Sequence, residues 1–120
     1  MYDHEQLDIW RRSHALTLAI HRAFRSRVRG VPAQLRSQLS RSSTGVAANI
    51  AESGGQETSA QSARYIDMAL GSLSETQNHL RLAADTGLIT PEQVELFAKE
   101  VGELKRMTFS FKKWLLRSPR

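Results

Sequence analysis

The residues able to do chemistry in this chain are four histidines, a handful of carboxylates and a run of serines. Carboxylates and imidazoles inside a helical protein first suggest a di-metal centre. Such a centre needs Glu-x-x-His pairs on two helices with further Glu residues facing them. Here Glu75 and His79 are four apart instead of three, and no second pair exists. His14 and His21 lie two helical turns apart, roughly 10 Å, too far to share one ion. No metal site and no cofactor are expected.

Glu52 and Glu75 are the candidates for a general acid/base couple, against the simpler role of satisfying helix ends or an arginine. The many serines of the second helix offer hydroxyls without a histidine near them in sequence, so no nucleophile–base pair stands out. Helical-bundle ribonucleases of one superfamily place an Arg four to six residues before a His, and none of His4, His14, His21 and His79 has one there. The chain has no cysteine, which removes thiolate ligands and a cysteine nucleophile together. The expectation is a protein that is not an enzyme.

The elements that must position these groups are long helices. The 120 residues suffice for one domain with one core. Ile9, Ser13, Leu16, Ile20 and Ala23 recur at helical spacing and predict a first helix over residues 5–29, closed by Gly30. Val31-Pro32 opens a second, over residues 32–53, with Leu35, Leu39, Ser42, Val46, Asn49, Ile50 and Ser53 as its stripe. Thr58–Gln61 and Thr90–Gln93 read as capping boxes that start helices over residues 58–86 and 91–117. Ile66, Ala69, Leu73, Thr76 and Leu80 line the third. Val94, Phe97, Val101, Leu104, Thr108, Phe111 and Leu115 line the fourth. Short turns and no strand-like alternation predict an all-α, antiparallel up-down-up-down four-helix bundle.

The second helix is unusual. From Arg41 to Gly55 nearly every side chain is small, and Ser, Thr and Gly all carry a helix-propensity cost. Packing must hold it, with small residues letting a neighbouring backbone approach. Asn49 and Glu52, one turn apart near the stripe, are expected to form a buried polar network with the Gly71–Glu75 segment.

The net charge is +5, with arginine supplying most of the cations. Arginine's planar fork suits phosphate, so the surplus points to RNA, DNA or an acidic partner, although the same charge also serves solubility. Bundle geometry gathers Arg22, Arg25, Arg27, Arg29 and Arg36 at one end, Arg27 falling nearest the core. It gathers Arg11, Arg12, Lys112, Lys113, Arg117 and Arg120 at the other. No base-reading signature is present, so binding is expected to be weakly sequence-specific. The polar N-terminus is not a secretory signal, and no apolar run approaches the roughly 20 residues that span a bilayer, so the expectation is a cytoplasmic protein without membrane contact.

Asp8-Ile9-Trp10, Gln38-Leu39-Ser40-Arg41, Asn49-Ile50-Ala51-Glu52 and Ala69-Leu70-Gly71-Ser72-Leu73-Ser74-Glu75 occur in order along the chain. They resemble the bacterial four helix bundle family, the intervening-sequence proteins of large-subunit rRNA genes. Trp10, Arg41, Asn49, Glu52, Gly71, Ser72 and Glu75 carry the likeness as structural motif residues. The chain departs where that family has Gly directly after Asn-Ile-Ala-Glu, because Ser53 intervenes before Gly54. The resemblance implies a homopentamer of antiparallel bundles. It is also similar to the accessory variability proteins of diversity-generating retroelements, which implies a reverse transcriptase and nucleic acid as partners.

Overall fold

The computed structural model describes residues 1–24 and 31–117, with side chains described from Ala33 onward in the second block. A short 3-10 turn, His4–Gln6, precedes four helices: α1 (Asp8–Ala23), α2 (Val31–Gly54), α3 (Ser59–Asp85) and α4 (Pro91–Arg117). No strand occurs among the described residues.

The core is built from the predicted stripes. Ile9, Leu16 and Ile20 of α1, Leu35, Leu39, Val46 and Ile50 of α2, Ile66, Leu73 and Leu80 of α3, and Phe97, Val101, Leu104 and Leu115 of α4 are all buried. Each stripe removes apolar surface from water at about 25 cal/mol per Å². Met68 of α3 is exposed, outside this stripe. Both capping boxes form. Thr58 Oγ1 accepts the Gln61 N–H at 3.1 Å, and Thr90 Oγ1 accepts the Gln93 N–H at 3.1 Å. Each glutamine side chain returns the bond to the threonine N–H, at 3.2 and 3.0 Å. Gly87, at φ +75°, makes the turn out of α3.

The first helix is shorter than predicted at both ends. Asp3 caps the 3-10 turn by accepting the Glu5 N–H at 3.0 Å, and Leu7 is extended before α1 begins. The physical reason is the N-terminal segment, which folds across the end of the bundle. Tyr2 N–H donates to the Gly54 carbonyl at 3.1 Å, and the Tyr2 ring meets Phe111 edge-on at 5.5 Å. A helix begun at residue 5 could not deliver Tyr2 there. At the other end Phe24 leaves helical geometry, at φ −106° and ψ 39°. Gly30, the predicted cap, lies outside the described residues.

The small-residue stretch of α2 packs against α3, the most extensive helix contact in the protein. A methyl group at Gly45 would stand 3.1 Å from Ser72 Oγ, so the two backbones are close. Hydroxyls at this seam are paired in place. Thr76 Oγ1 lies 3.0 Å from Ser42 Oγ, and Ser62 Oγ donates to the Ser53 carbonyl at 2.7 Å. On the opposite side Thr17 Oγ1 of α1 reaches the Ser43 carbonyl at 3.0 Å. Serine and threonine cost helix propensity, but they fit between closely packed backbones and bond their own hydroxyls to helix carbonyls, as those of Ser13, Ser59 and Thr108 do not.

Candidate nucleic-acid interface

The last turns of α1 and the first turns of α2 enclose an open cleft of about 500 Å³. Its floor is Ile20, Phe24 and Ala33, and its walls carry His21, Arg36, Ser37, Ser40 and Arg41. Ser40 Oγ and His21 Nε2 are 2.9 Å apart, which fixes the imidazole against α2. No described residue lining the cleft is acidic. Residues 25–30, which join the two helices, add three arginines and no carboxylate to the sequence here. Of the arginines predicted at this end, Arg36 lines the cleft and Arg22 is exposed on the last turn of α1. Arg25, Arg27 and Arg29 lie outside the described residues. His21, Ser37, Ser40 and Arg41 were not predicted as binding groups. Only the helical register of two separate segments brings them together, and no local motif signals it.

The opposite cluster is different, because carboxylates answer several of its cations. Arg11 pairs with Asp8 at 3.1 Å, and Lys112 with Asp67 at 2.7 Å. Arg12 reaches across from α1 to α4, meeting Glu100 through two bonds of 2.7 and 3.0 Å and Glu103 at 3.4 Å. The bond to Glu100 holds the Arg12 guanidinium above its ordinary pKa. Glu103 is held below its ordinary value, first by its bond to Arg106 and then by Arg12. Arg12 is therefore a clamp between α1 and α4 more than a ligand-binding group. Lys113 lies over the Phe109 ring, 5.5 Å from its centroid, and Arg117 is exposed. Arg120 lies outside the described residues.

The predicted buried network of Asn49, Glu52 and Glu75 does not form within the chain. Glu52 and Glu75 are exposed, and half-buried Asn49 donates to the Gly45 carbonyl of its own helix at 2.9 Å. The reason is register: Ser42, Val46, Ile50 and Ser53 face the core, which turns residues 49 and 52 toward its flank. The buried polar contacts belong to serines and threonines instead. Of the other motif residues, Trp10 is half-buried and stacks on His14 at 5.1 Å with 7° between ring planes. Gly71 is exposed, with open space where a side chain would be. Arg41, Ser72 and Glu75 line a second groove of about 400 Å³ between α2 and α3, together with Gln38, Ser42, Gly45 and His79. Arg41 thus borders both depressions.

The Ser40–His21 pair is a hydroxyl–imidazole couple that sequence separation hid. A working nucleophile also needs a group orienting the base, and no carboxylate lines this cleft among the described residues. No cluster of three or more His, Cys, Asp or Glu able to hold a metal ion occurs among the described residues. No described helix is long and apolar enough to cross a membrane.

Comparison with known proteins places the fold. No curated protein matches the chain. A solved structure from Bacteroides thetaiotaomicron, a protein of unknown function from the S23 ribosomal protein family, superposes with a TM-score of 0.79 at 25% identity. The match covers 88% of this chain and 98% of that one. The family model described as 23S rRNA-intervening sequence protein matches residues 5–110, from the N-terminal 3-10 turn through most of α4. With three helices and most of the fourth inside that match, this chain belongs to the 23S rRNA-intervening sequence protein family.

Proposed function

We propose that the protein is a non-enzymatic, oligomeric four-helix bundle that binds RNA or DNA, or an enzyme acting on nucleic acid such as a reverse transcriptase, through its cationic surface. The observation that carries this reading is the α1/α2 cleft, where Arg36, Arg41 and His21 meet without any acidic lining residue among those described. At the opposite end Arg11, Arg12 and Lys112 already face carboxylates, which makes that cluster the weaker phosphate site. The family name ties its members to the intervening sequences of 23S rRNA, so structured RNA is the first ligand to try.

In this reading the bundle is up-down-up-down and cytoplasmic, and it assembles as a homopentamer. The pairing of residues across helices supports the order: Ser42 meets Thr76 and Ser53 meets Ser62, so rising numbers in α2 meet falling numbers in α3. Ring symmetry multiplies a weak site into useful avidity. Filter binding to structured RNA at two salt concentrations tests the reading. Affinity should fall steeply with salt. Absence of binding at low salt, or binding indifferent to salt, rejects it.

A second reading is a protein-interaction scaffold without a nucleic-acid ligand. Phe109, Trp114 and Leu116 near the end of α4 favour it, each at least half exposed. Phe109 and Leu116, seven residues apart, share one face of α4, and exposed large apolar side chains on one face mark contact with another protein. Partners captured on this chain should then survive nuclease treatment.

A further inference from the structure

We propose that the α1/α2 cleft is a phosphate site that seats the backbone of a single-stranded nucleic acid, with Ser37, Arg41 and a Ser40 hydroxyl oriented by His21 supplying the donors. This rests on the nucleic-acid reading above and narrows it to one place and one form of ligand.

The lining selects an oxyanion. Arg41 offers a guanidinium fork and Ser37 a hydroxyl, and a His21 Nε2–H donating to Ser40 Oγ across 2.9 Å turns the Ser40 hydroxyl proton outward to the ligand. Arg36 adds a second guanidinium to the same wall. A ligand carboxylate or phosphate meets no negative group among the described lining residues, whereas a cationic or zwitterionic ligand meets two arginines. The apolar floor of Ile20, Phe24 and Ala33 keeps water off one side, which strengthens each charged bond above it.

The shape selects a single strand. Duplex DNA is read by a protruding helix or ribbon that enters a major groove about 12 Å wide. Here the donors line an open cleft between two helices, with His21, Ser37 and Arg41 exposed along its rim. A flexible backbone bends into such a positively charged groove, and a rigid duplex does not. Phe24 in the floor is buried, so among the described lining residues the His21 imidazole is the ring within a base's reach, and the cleft reads chiefly the backbone. Weak sequence preference follows.

The test uses the full chain and two kinds of probe. Fluorescence anisotropy at low salt compares a labelled 12-nucleotide single-stranded RNA with the same strand closed into a duplex. Phosphorus NMR with orthophosphate and pyrophosphate reads the oxyanion site without any nucleic acid. Arg41→Gln and Ser40→Ala alter the cleft, and Lys99→Gln, an exposed α4 lysine outside it, measures the effect of losing any one charge. Arg41 is exposed, so thermal melting of its variant should match wild type.

Arg41→Gln is expected to weaken single-strand binding about tenfold, as loss of a charged hydrogen bond does. Ser40→Ala should weaken it several-fold and Lys99→Gln less than twofold. Single strand should outbind duplex, and orthophosphate line broadening should vanish in Arg41→Gln. RNA binding that is untouched by both cleft variants, or stronger for duplex, overturns the cleft assignment and leaves the general nucleic-acid reading standing. Orthophosphate binding that depends on Arg41, with no RNA bound at any salt, overturns both the single-strand ligand and the nucleic-acid reading. It leaves an oxyanion site with another occupant.

Discussion

The Tyr2 hydroxyl donates to Ser53 Oγ at 2.7 Å, joining the second residue of the chain to the last turn of α2. Ser53 is fully buried and passes its own proton to the Ile50 carbonyl at 2.6 Å, while its carbonyl accepts from Ser62 of α3. Three segments are tied at one point, and the Ser53 carbonyl at the end of α2, reached by its local Gln56 N–H only at 3.5 Å, takes a short bond from a neighbouring helix. Tyr2→Phe keeps the ring on Phe111 and removes only the hydroxyl. It should cost about 0.5–1.5 kcal/mol in urea denaturation. Ser62→Ala should cost more, about 1–3 kcal/mol, because it leaves the buried Ser53 carbonyl only the long 3.5 Å bond from the Gln56 N–H. Equal stability of all three proteins would show the node to be slack.

The same tyrosine predicts a pH dependence. Burial raises the Tyr2 pKa above its ordinary 10.0, against the smaller lowering effect of its bonds to Ser53 and Ser62. The folded state thus holds the phenol proton more tightly than the unfolded chain does. That contribution to stability is complete below pH 10 and is lost as pH rises through the raised folded value. Wild type should lose stability above pH 10 more steeply than Tyr2→Phe, as followed by denaturation midpoints. Parallel curves would remove Tyr2 as the cause.

On the acid side the working group is Glu103. Its pKa is depressed below the ordinary 4.5 by Arg106 and, less strongly, by Arg12. A depressed carboxyl stabilises the fold above its unfolded pKa, and that contribution fades as pH falls through the folded value. Glu103→Gln should therefore flatten the acid limb of the stability curve below pH 4.5. The interhelical clamp itself is half-open, with Arg12 at 36% and Glu100 at 31% side-chain exposure. A double-mutant cycle between Arg12→Ala and Glu100→Ala should return about 0.2–1 kcal/mol, shrinking with added salt. A coupling of several kcal/mol would mean that the pair is buried in an assembly.

Much of the fold was legible because helices announce themselves. The stripes through Leu16, Leu39, Leu73 and Leu104 and the boxes at Thr58 and Thr90 are local signals, and all are found where expected. Residue 5 as a helix start failed because a tertiary contact, Tyr2 on Gly54, decides the path of the first turn. Asn49 and Glu52 were misplaced by about 100° of helix rotation, a distance that one residue of register supplies. The cleft was half legible. Its charge could be read from the arginines, but the meeting of His21 with Ser40, 19 residues apart, required the fold. Motif residues that sit on the surface, such as Glu52, Gly71 and Glu75, carry no folding signal to read.

Those surface positions should behave accordingly. Glu52→Ala removes an exposed side chain with no buried partner, so its effect on melting should stay within about 0.5 kcal/mol. The earlier expectation of a network loss predicts a larger fall. Mass measurement alongside melting separates a role in assembly from a role in the fold: a change of mass at constant stability assigns Glu52 to a subunit contact.

Three glycines make the sharpest comparison, since they share a chemistry and differ in surroundings. Gly71 and Gly102 lie within α3 and α4 with nothing within 4 Å of an added methyl. Alanine there gains helix propensity at no steric cost, so each substitution should stabilise by about 0.5–1 kcal/mol. Gly54 ends α2, and its methyl would stand 2.6 Å from the Tyr2 carbonyl oxygen, which is backbone and cannot rotate aside. Accommodating it must shift the N-terminal segment and stretch the bond from Tyr2 N–H to the Gly54 carbonyl. Gly54→Ala should therefore destabilise, by about 1–3 kcal/mol as overpacking does. Adding Tyr2→Phe should then cost less than it does alone, because the displaced strap no longer delivers its hydroxyl to Ser53. Strict additivity of the two changes would separate the Gly54 contact from the Tyr2–Ser53 bond. A stabilised Gly54→Ala would show that the strap does not cross α2 at that point.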